Sequence, residues 1–190
     1  MSIIPAFEVG LWNAWIIMVC SLILSFLAPI VAKGREKGVN FTAAFSKKQK
    51  IAHVSLHVIY FLLVIYSIFL PLKLGTLWFY VGLPICVLGL ILYKIVVLSF
   101  AITPPDRPIT GGIYRYSRHP MYLVPVLVFI GVGIASASWL FLLFSVIYMI
   151  LPPLFVAAEE DFCLKHYGDT YRQYMNRTPR WIGIPKSGEK

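Results

Sequence analysis

Charge is what this 190-residue sequence has least of: 13% of its residues are Asp, Glu, Lys or Arg, where a soluble domain carries about 25%. No acidic residue occurs between Glu36 and Asp106, and no charge of either sign from Pro120 to Ala158. A chain with such stretches is neither an ordinary soluble enzyme nor a disordered one, since both need charge on solvated surface. Cysteine is also scarce, with three residues, which argues against a disulfide-stapled secreted domain. Cys20 and Cys86 fall inside apolar runs and read as buried small hydrophobes, while Cys163 lies just past the last run. No G-x-G-x-x-G following a strand, no Walker loop and no H-E-x-x-H is present, which excludes a soluble nucleotide-binding fold. Any cofactor must therefore bind at helix ends and loops. No internal repeat is visible.

What is abundant is apolar surface, at 59% of residues. One bilayer crossing takes about 20 such residues, so the sequence predicts an all-α polytopic membrane protein with about five transmembrane helices. The first three spans are expected over 11–32, 51–72 and 76–100. Lys33-Gly34-Arg35-Glu36 ends the first, and Gly75 permits a tight return from the second into the third. The third stops at Thr103-Pro104-Pro105, because proline cannot continue the helical hydrogen-bond ladder. Residues 33–50 form a polar loop with room for a short interfacial helix, and 106–120 an irregular segment around Gly111-Gly112.

The fourth and fifth spans form a hairpin over 121–158 with a minimal turn at Ser136, and the fifth runs on through Glu159-Glu160-Asp161. Gly168 is the expected C-cap, Asp169 the N-cap of a short helix over 170–176, and Pro179 its stop. The first span is not expected to be a cleaved signal peptide, since Glu8 and no Lys or Arg precedes it.

The net charge of +9 would suggest nucleic acid in a soluble domain, but its placement follows membrane topology. Basic residues gather between spans one and two (Lys33, Arg35, Lys37, Lys47, Lys48, Lys50), between three and four (Arg107, Arg115, Arg118) and after five (Lys165, Arg172, Arg177, Arg180, Lys186, Lys190). The other connections hold Lys73 and the uncharged Ser136-Ala137-Ser138. By the positive-inside rule the N-terminus is outside and the C-terminus cytosolic. Trp12, Trp78 and Trp139 then start spans at the outer interface, where Trp is enriched. Lys94, near the inner end of span three, can snorkel. No nucleic acid partner is expected.

Two polar clusters interrupt the apolar pattern: residues 112–122, running into span four, and Glu159-Glu160 at the inner end of span five. Because spans four and five form a tight hairpin, their inner ends must meet, which makes His119 and the two carboxylates neighbours. Arg118 can then pair with one carboxylate and leave the other for a ligand. Ionisable groups at membrane depth are costly and by default functional candidates. The ordinary alternative is that Arg118 and His119 anchor the interface and the Glu pair is a solvated helix extension. His53 and His57 share a face of span two at i,i+4 spacing, half of a metal or haem site, with no nearby carboxylate or cysteine to complete it. No metal site is expected. Gly131 and Gly133 permit close helix packing in span four.

Together the two clusters carry a resemblance. The pattern G-I-Y-x-x-x-R-H-P-x-Y, followed one hairpin later by E-E-x-x-C-x-x-x-Y-G-x-x-Y-x-x-Y, resembles the integral membrane methyltransferases. That family includes the isoprenylcysteine carboxyl methyltransferases and the phospholipid N-methyltransferases. The matching residues are Gly112, Ile113, Tyr114, Arg118, His119, Pro120, Tyr122, Glu159, Glu160, Tyr167, Gly168, Tyr171 and Tyr174, and the likeness covers 106–180. It implies one membrane domain over 1–190, with 101–120 and 159–190 as cytosolic cofactor-site segments.

The implied cofactor is S-adenosyl-L-methionine, contacted by Tyr114, His119, Pro120, Met121, Tyr122 and Glu159. Residues 106–109 match a cofactor-contacting stretch by position only. Arg118, His119 and Glu160 are the expected catalytic set. The implied partner is a lipophilic or lipidated acceptor entering from the bilayer, alongside membrane lipids. Prenylcysteine methyltransferases carry an acceptor-binding Arg four residues before the first Glu; here Phe155 stands there, and an apolar ring cannot hold a carboxylate. The acceptor is then a prenylcysteine-like carboxylate or a phospholipid-like amine. Methyl transfer needs positioning and electrostatics matched to a vanishing positive charge, with the helix around Tyr171, Arg172 and Tyr174 able to cover the site. The competing readings are a haem-binding electron carrier using His53, His57 and His119, and a small transporter gated by Arg118 and Glu159.

Overall fold

The computed structural model describes residues 7–31 and 41–186. The basic residues Lys33, Arg35, Lys37 and Lys190, and the predicted stop at Gly34 and Glu36, lie outside them. The described residues form seven α-helices: α1 (Trp15–Val31), α2 (Lys47–Ile68), α3 (Leu77–Ile102), α4 (Pro120–Ala135), α5 (Trp139–Ile150), α6 (Val156–Tyr167) and α7 (Asp169–Arg177). Short 3-10 turns lie at Phe41–Ala44, Gly112–Arg115 and Pro152–Leu154. Among the described residues there is no strand, in agreement with the all-α expectation.

The span count comes out differently. α2 and α3 are each long and apolar enough to cross a bilayer, and α5 with α6 passes the same test only as one broken span, bent by 42°. The apolar helices in α1 and α4 are shorter; α4, at 16 residues, rises about 24 Å against a hydrocarbon core of about 30 Å. The fifth span is interrupted at Pro152 and Pro153, which cannot donate to the helical ladder, so α5 ends at Ile150 and a new helix starts at Val156. The apolar stretch of that broken span stops at Ala158, and Glu159 onward lies beyond it.

Local chemistry accounts for the other ends. Ser46 and Gln49 form a capping box that starts α2 at Lys47, four residues before the expected boundary. Gly75 has φ +73° in the return to α3, and Ala137 takes a positive φ in the turn between α4 and α5, where Ser138 Oγ accepts the Phe141 N–H at 3.2 Å. Gly168 closes α6 with φ +57° as expected, but α7 begins at Asp169 itself, so Asp169 sits in the first turn and does not cap it.

α3 and α4 form the densest pair. A Cβ at Gly82 would lie 2.5 Å from the Gly131 carbonyl, and one at Gly131 would lie 2.6 Å from the Cys86 backbone nitrogen. The two backbones approach as closely as small residues allow. Gly133 plays the same part toward Leu142 of α5. At one end of the bundle, Leu72 N–H donates to the Trp12 carbonyl (3.0 Å) and Lys73 N–H to that of Ala135 (2.9 Å). Trp12, Trp78 and Trp139 are all exposed. Cys86 is buried as predicted, whereas Cys20 is exposed: it lies on the outer face of α1, so its apolar neighbours in sequence do not enclose it.

Candidate active site

The two polar clusters meet at the opposite end, where α4 starts and α6 starts. Pro120 occupies the first position of α4, tolerated there because the first N–H of a helix has no partner anyway. It also disfavours a helical conformation for the residue before it. His119 accordingly has φ −126° and ψ 50° as N-cap, and its backbone N–H donates to Ser117 Oγ at 3.1 Å. The break at Pro152–Leu154 does the equivalent work for the carboxylates. It puts Glu159 in the first turn of α6, where the helix dipole favours negative charge.

The imidazole of His119, 4% exposed, lies between the two carboxylates. Nε2 is 3.0 Å from Glu160 Oε1, and Nδ1 is 3.8 Å from Glu159 Oε2. The ring stacks near Tyr122, and the Tyr122 hydroxyl donates to Glu159 Oε2 at 3.1 Å.

Glu160 is 2% exposed and carries three partners: His119, Arg118 Nη1 at 3.3 Å, and Arg180. Arg180 Nε donates to both carboxylate oxygens, at 3.2 and 3.1 Å, and Nη2 donates to Oε2. Burial acts against ionising Glu160, but the hydrogen bonds from His119 and Arg180 and the charge of Arg118 outweigh it and hold the carboxyl at about 2. The Glu160 hydrogen bond also raises the pKa of Arg180. Glu159 is shifted the other way: burial pushes its pKa up, partly offset by the His119 charge and the Tyr122 hydrogen bond. The adjacent carboxylates thus have distinct situations. Glu160 is locked into a charged cluster, and Glu159 keeps Oε1 out of these contacts.

Arg180 is the residue that sequence reasoning assigned to topology and missed as part of the site. The segment after α7 is strapped across the 112–119 loop. Arg118 N–H donates to the Pro179 carbonyl (3.0 Å), Gly183 N–H to that of Tyr116 (3.0 Å), and Trp181 packs on His119 with ring centroids 6.0 Å apart. The Tyr174 hydroxyl on α7 donates to the Tyr114 carbonyl at 2.8 Å, and burial raises the pKa of Tyr174 and Tyr171. The only available signal was the Arg-Trp pair beside a helix-ending proline.

These groups line a cavity of 740 Å³, toward the upper end of the range for small-molecule sites. Tyr114, Arg118, His119, Met121, Tyr122 and Glu159 line it, as do Pro108 and Ile109 from the positionally matched loop; Pro120 is buried beside it, and Glu160 lies behind it. The opposite wall comes from α1 and α2, through Leu22, Ser25, Phe26, His53, His57 and Phe61. Phe155 is fully buried, with its ring edge-on to Tyr122 (5.4 Å) and His53 (5.2 Å). Arg118, with a side chain 11% exposed, has two N–H groups, on Nε and Nη1, without a hydrogen-bond partner among the described residues. A buried donor left unsatisfied is costly, so this guanidinium is set up to receive an acceptor from the cavity.

Comparison with known proteins gives one assignment. The sequence model described as phospholipid methyltransferase matches residues 73–170, just over half of the chain. No curated protein and no solved structure matches. The match runs from the return before α3 to the start of α7 and contains both polar clusters, His119 with its two carboxylates included. This chain belongs to the phospholipid methyltransferase family of integral membrane methyltransferases.

Proposed function

We propose that the protein transfers a methyl group from S-adenosylmethionine to a lipophilic acceptor, at a site facing the cytosol. The observation that carries this reading is the pairing, in one 740 Å³ cavity, of a buried guanidinium with unused donors and a carboxylate with an unused oxygen. A zwitterionic amino-acid tail with an attached nucleoside needs that complement: a donor for its carboxylate, an acceptor for its ammonium or ribose hydroxyls, and aromatic walls for its base. Arg118 is the donor, Glu159 the acceptor, and Tyr114 with Tyr122 the wall. Burial has made ionised Glu159 costly, and a cationic ligand offsets that cost. When bound, the cofactor supplies an electrophilic methyl group on a sulfonium.

The chain's own residues bind, orient and exclude water. His119 donates its Nε2 proton to ionised Glu160 and with Tyr122 holds the Glu159 carboxylate in place. Glu160 therefore acts through His119, Arg118 and Arg180 as a positioning residue. α7 and the strap beyond it cover the site from the polar side, which keeps water away from the reacting centre. No covalent intermediate on the protein is required, so orientation supplies most of the acceleration.

The orientation follows from charge. The site end of the bundle carries Arg107, Arg115, Arg172, Arg177 and Arg180, and the opposite end carries Lys73; by the positive-inside rule this supports a cytosolic site with the Trp-bearing end outside. A water-soluble cofactor then arrives from the cytosol and a lipid-like acceptor sideways, between α1 and α2. The test is incubation with methyl-labelled cofactor and a total lipid extract. Label in lipid, lost in Glu159→Gln, supports the reading. Label released by mild alkali as methanol marks a carboxyl ester, and label that survives marks transfer to N, S or C. Absence of labelled lipid together with absence of adenosylhomocysteine binding would sink it.

A further inference from the structure

Most polar side chains lining the cavity are already engaged with one another. His119 is held between two carboxylates, Tyr122 is bound to Glu159, and Tyr174 to the Tyr114 carbonyl. Tyr60 and Tyr93 share Ser25, at 3.0 and 2.8 Å. His119 Nε2 is thus taken up by Glu160, and Nδ1 faces Glu159 Oε2 at 3.8 Å. On the α1 and α2 wall one imidazole is differently placed. His57 Nδ1 lies 2.8 Å from the His53 carbonyl oxygen, one helical turn back. A carbonyl only accepts, so Nδ1 carries the proton. In the uncharged imidazole this leaves the lone pair on Nε2, and no hydrogen bond to Nε2 exists among the described residues.

His57 is exposed along α2 and lines the cavity, beside the apolar side chains of Leu22, Phe26 and Phe61. That wall holds no Lys or Arg, so it offers an anionic headgroup nothing, whereas a lone pair on a nitrogen suits a group that arrives with an N–H. We infer that His57 Nε2 receives the acceptor's amine headgroup and takes its proton. An ammonium N–H bond breaks, the proton passes to Nε2, and the electron pair stays on the amine nitrogen, which becomes nucleophilic. This assignment rests on the methyl-transfer reading above and adds the acceptor side of it. His53, packed edge-on to Phe45 and Phe155, supplies the carbonyl that sets the tautomer.

The test uses the full chain in phosphatidylcholine nanodiscs containing phosphatidylethanolamine, with ¹⁵N-labelled histidine. In the absence of cofactor, the His57 Nε2 resonance is expected to move from that of a bare nitrogen toward that of a protonated one. Nanodiscs of phosphatidylcholine alone, whose headgroup has no N–H, should leave it in place. His57→Asn keeps a donor for the His53 carbonyl and removes the basic nitrogen. It should lower methyl transfer to phosphatidylethanolamine by about 100-fold, the usual weight of a positioned base, while adenosylhomocysteine affinity stays within about threefold of wild type. A wild-type chain that binds adenosylhomocysteine, with His57→Asn transferring at the wild-type rate or no headgroup-dependent shift, overturns the His57 assignment alone. A wild-type chain that does not bind adenosylhomocysteine overturns the methyl-transfer reading and this assignment together.

Discussion

The two sides of the cavity are built on different terms. On the side of α3 to α7, helices touch backbone to backbone through Gly82 and Gly131, and buried charges are matched around Glu160. On the side of α1 and α2, the cavity runs between the helices, and hydroxyl bonds from Ser21 and Ser25 to Tyr60, with Ser25 reaching Tyr93, provide the polar ties. The family match falls entirely on the first side. A site that must hold one fixed cofactor gains from a rigid, preorganised wall. A site that admits a lipid from the bilayer needs a wall that opens. The close-packed half is accordingly assigned to the cofactor and the looser half to the acceptor.

The largest effect expected of breaking this division is at Glu160. Glu160→Gln leaves Arg118 and Arg180 without their counter-charge, and removing one member of a buried pair costs about 3–5 kcal/mol. Denaturation of the variant in detergent should show a loss of that order. The wild type shows the same dependence through pH. Its carboxyl is held at about 2 against an ordinary 4.5, so the stabilisation is full above 4.5 and is lost as pH falls from 4.5 through 2.

Next is Glu159→Gln, which keeps a partner for the Tyr122 hydroxyl and removes the charge. Cofactor affinity should fall about 100-fold, equivalent to about 2.7 kcal/mol, with little change in melting temperature. Because Glu159 has a raised pKa and its ionised form is the one that attracts a cation, wild-type affinity should weaken as pH drops through that value. Titration calorimetry across pH checks both statements. Gly131→Val comes third. Its side chain would meet Cys86, and overpacking of this kind costs about 1–3 kcal/mol, read as a lower midpoint of unfolding.

The smallest effect sharpens the comparison from the other side. Phe61→Ala, on the exposed cavity-facing surface of α2, should change stability by no more than about 0.5 kcal/mol and leave cofactor affinity intact, while raising KM for a lipid acceptor. Equal losses of cofactor and acceptor binding in that variant would dissolve the distinction between the two walls.

The meeting of His119 with Glu159 and Glu160 was legible in sequence, because a hairpin with a three-residue turn forces the far ends of its helices together whatever the side chains are. The predicted Arg118 pair and the close packing at Gly131 followed from equally local logic. The bend at Pro152 was visible as a proline pair, yet the uninterrupted apolar pattern on both sides read as one span. Arg180 and Trp181 lie in a segment without helical periodicity, so no spacing rule connects them to a carboxylate 20 residues earlier. The bonds of the strap to Tyr116, Ser117 and Arg118 bring them there. Cys20 was misjudged for a related reason: within a membrane helix the outer and inner faces are both apolar, and composition does not tell them apart.

The central claim is that Glu159, held by His119 and Tyr122 in a cavity shared with Arg118, whose Nε and Nη1 donate no hydrogen bond among the described residues, is the cofactor's anchor. Titration of adenosylhomocysteine into the purified chain and into Glu159→Gln tests it most directly. The account predicts saturable one-to-one binding to the wild type and a loss of about 100-fold in the variant, with both proteins equally folded. Equal affinity in the two proteins, or no binding to the wild type, would contradict it.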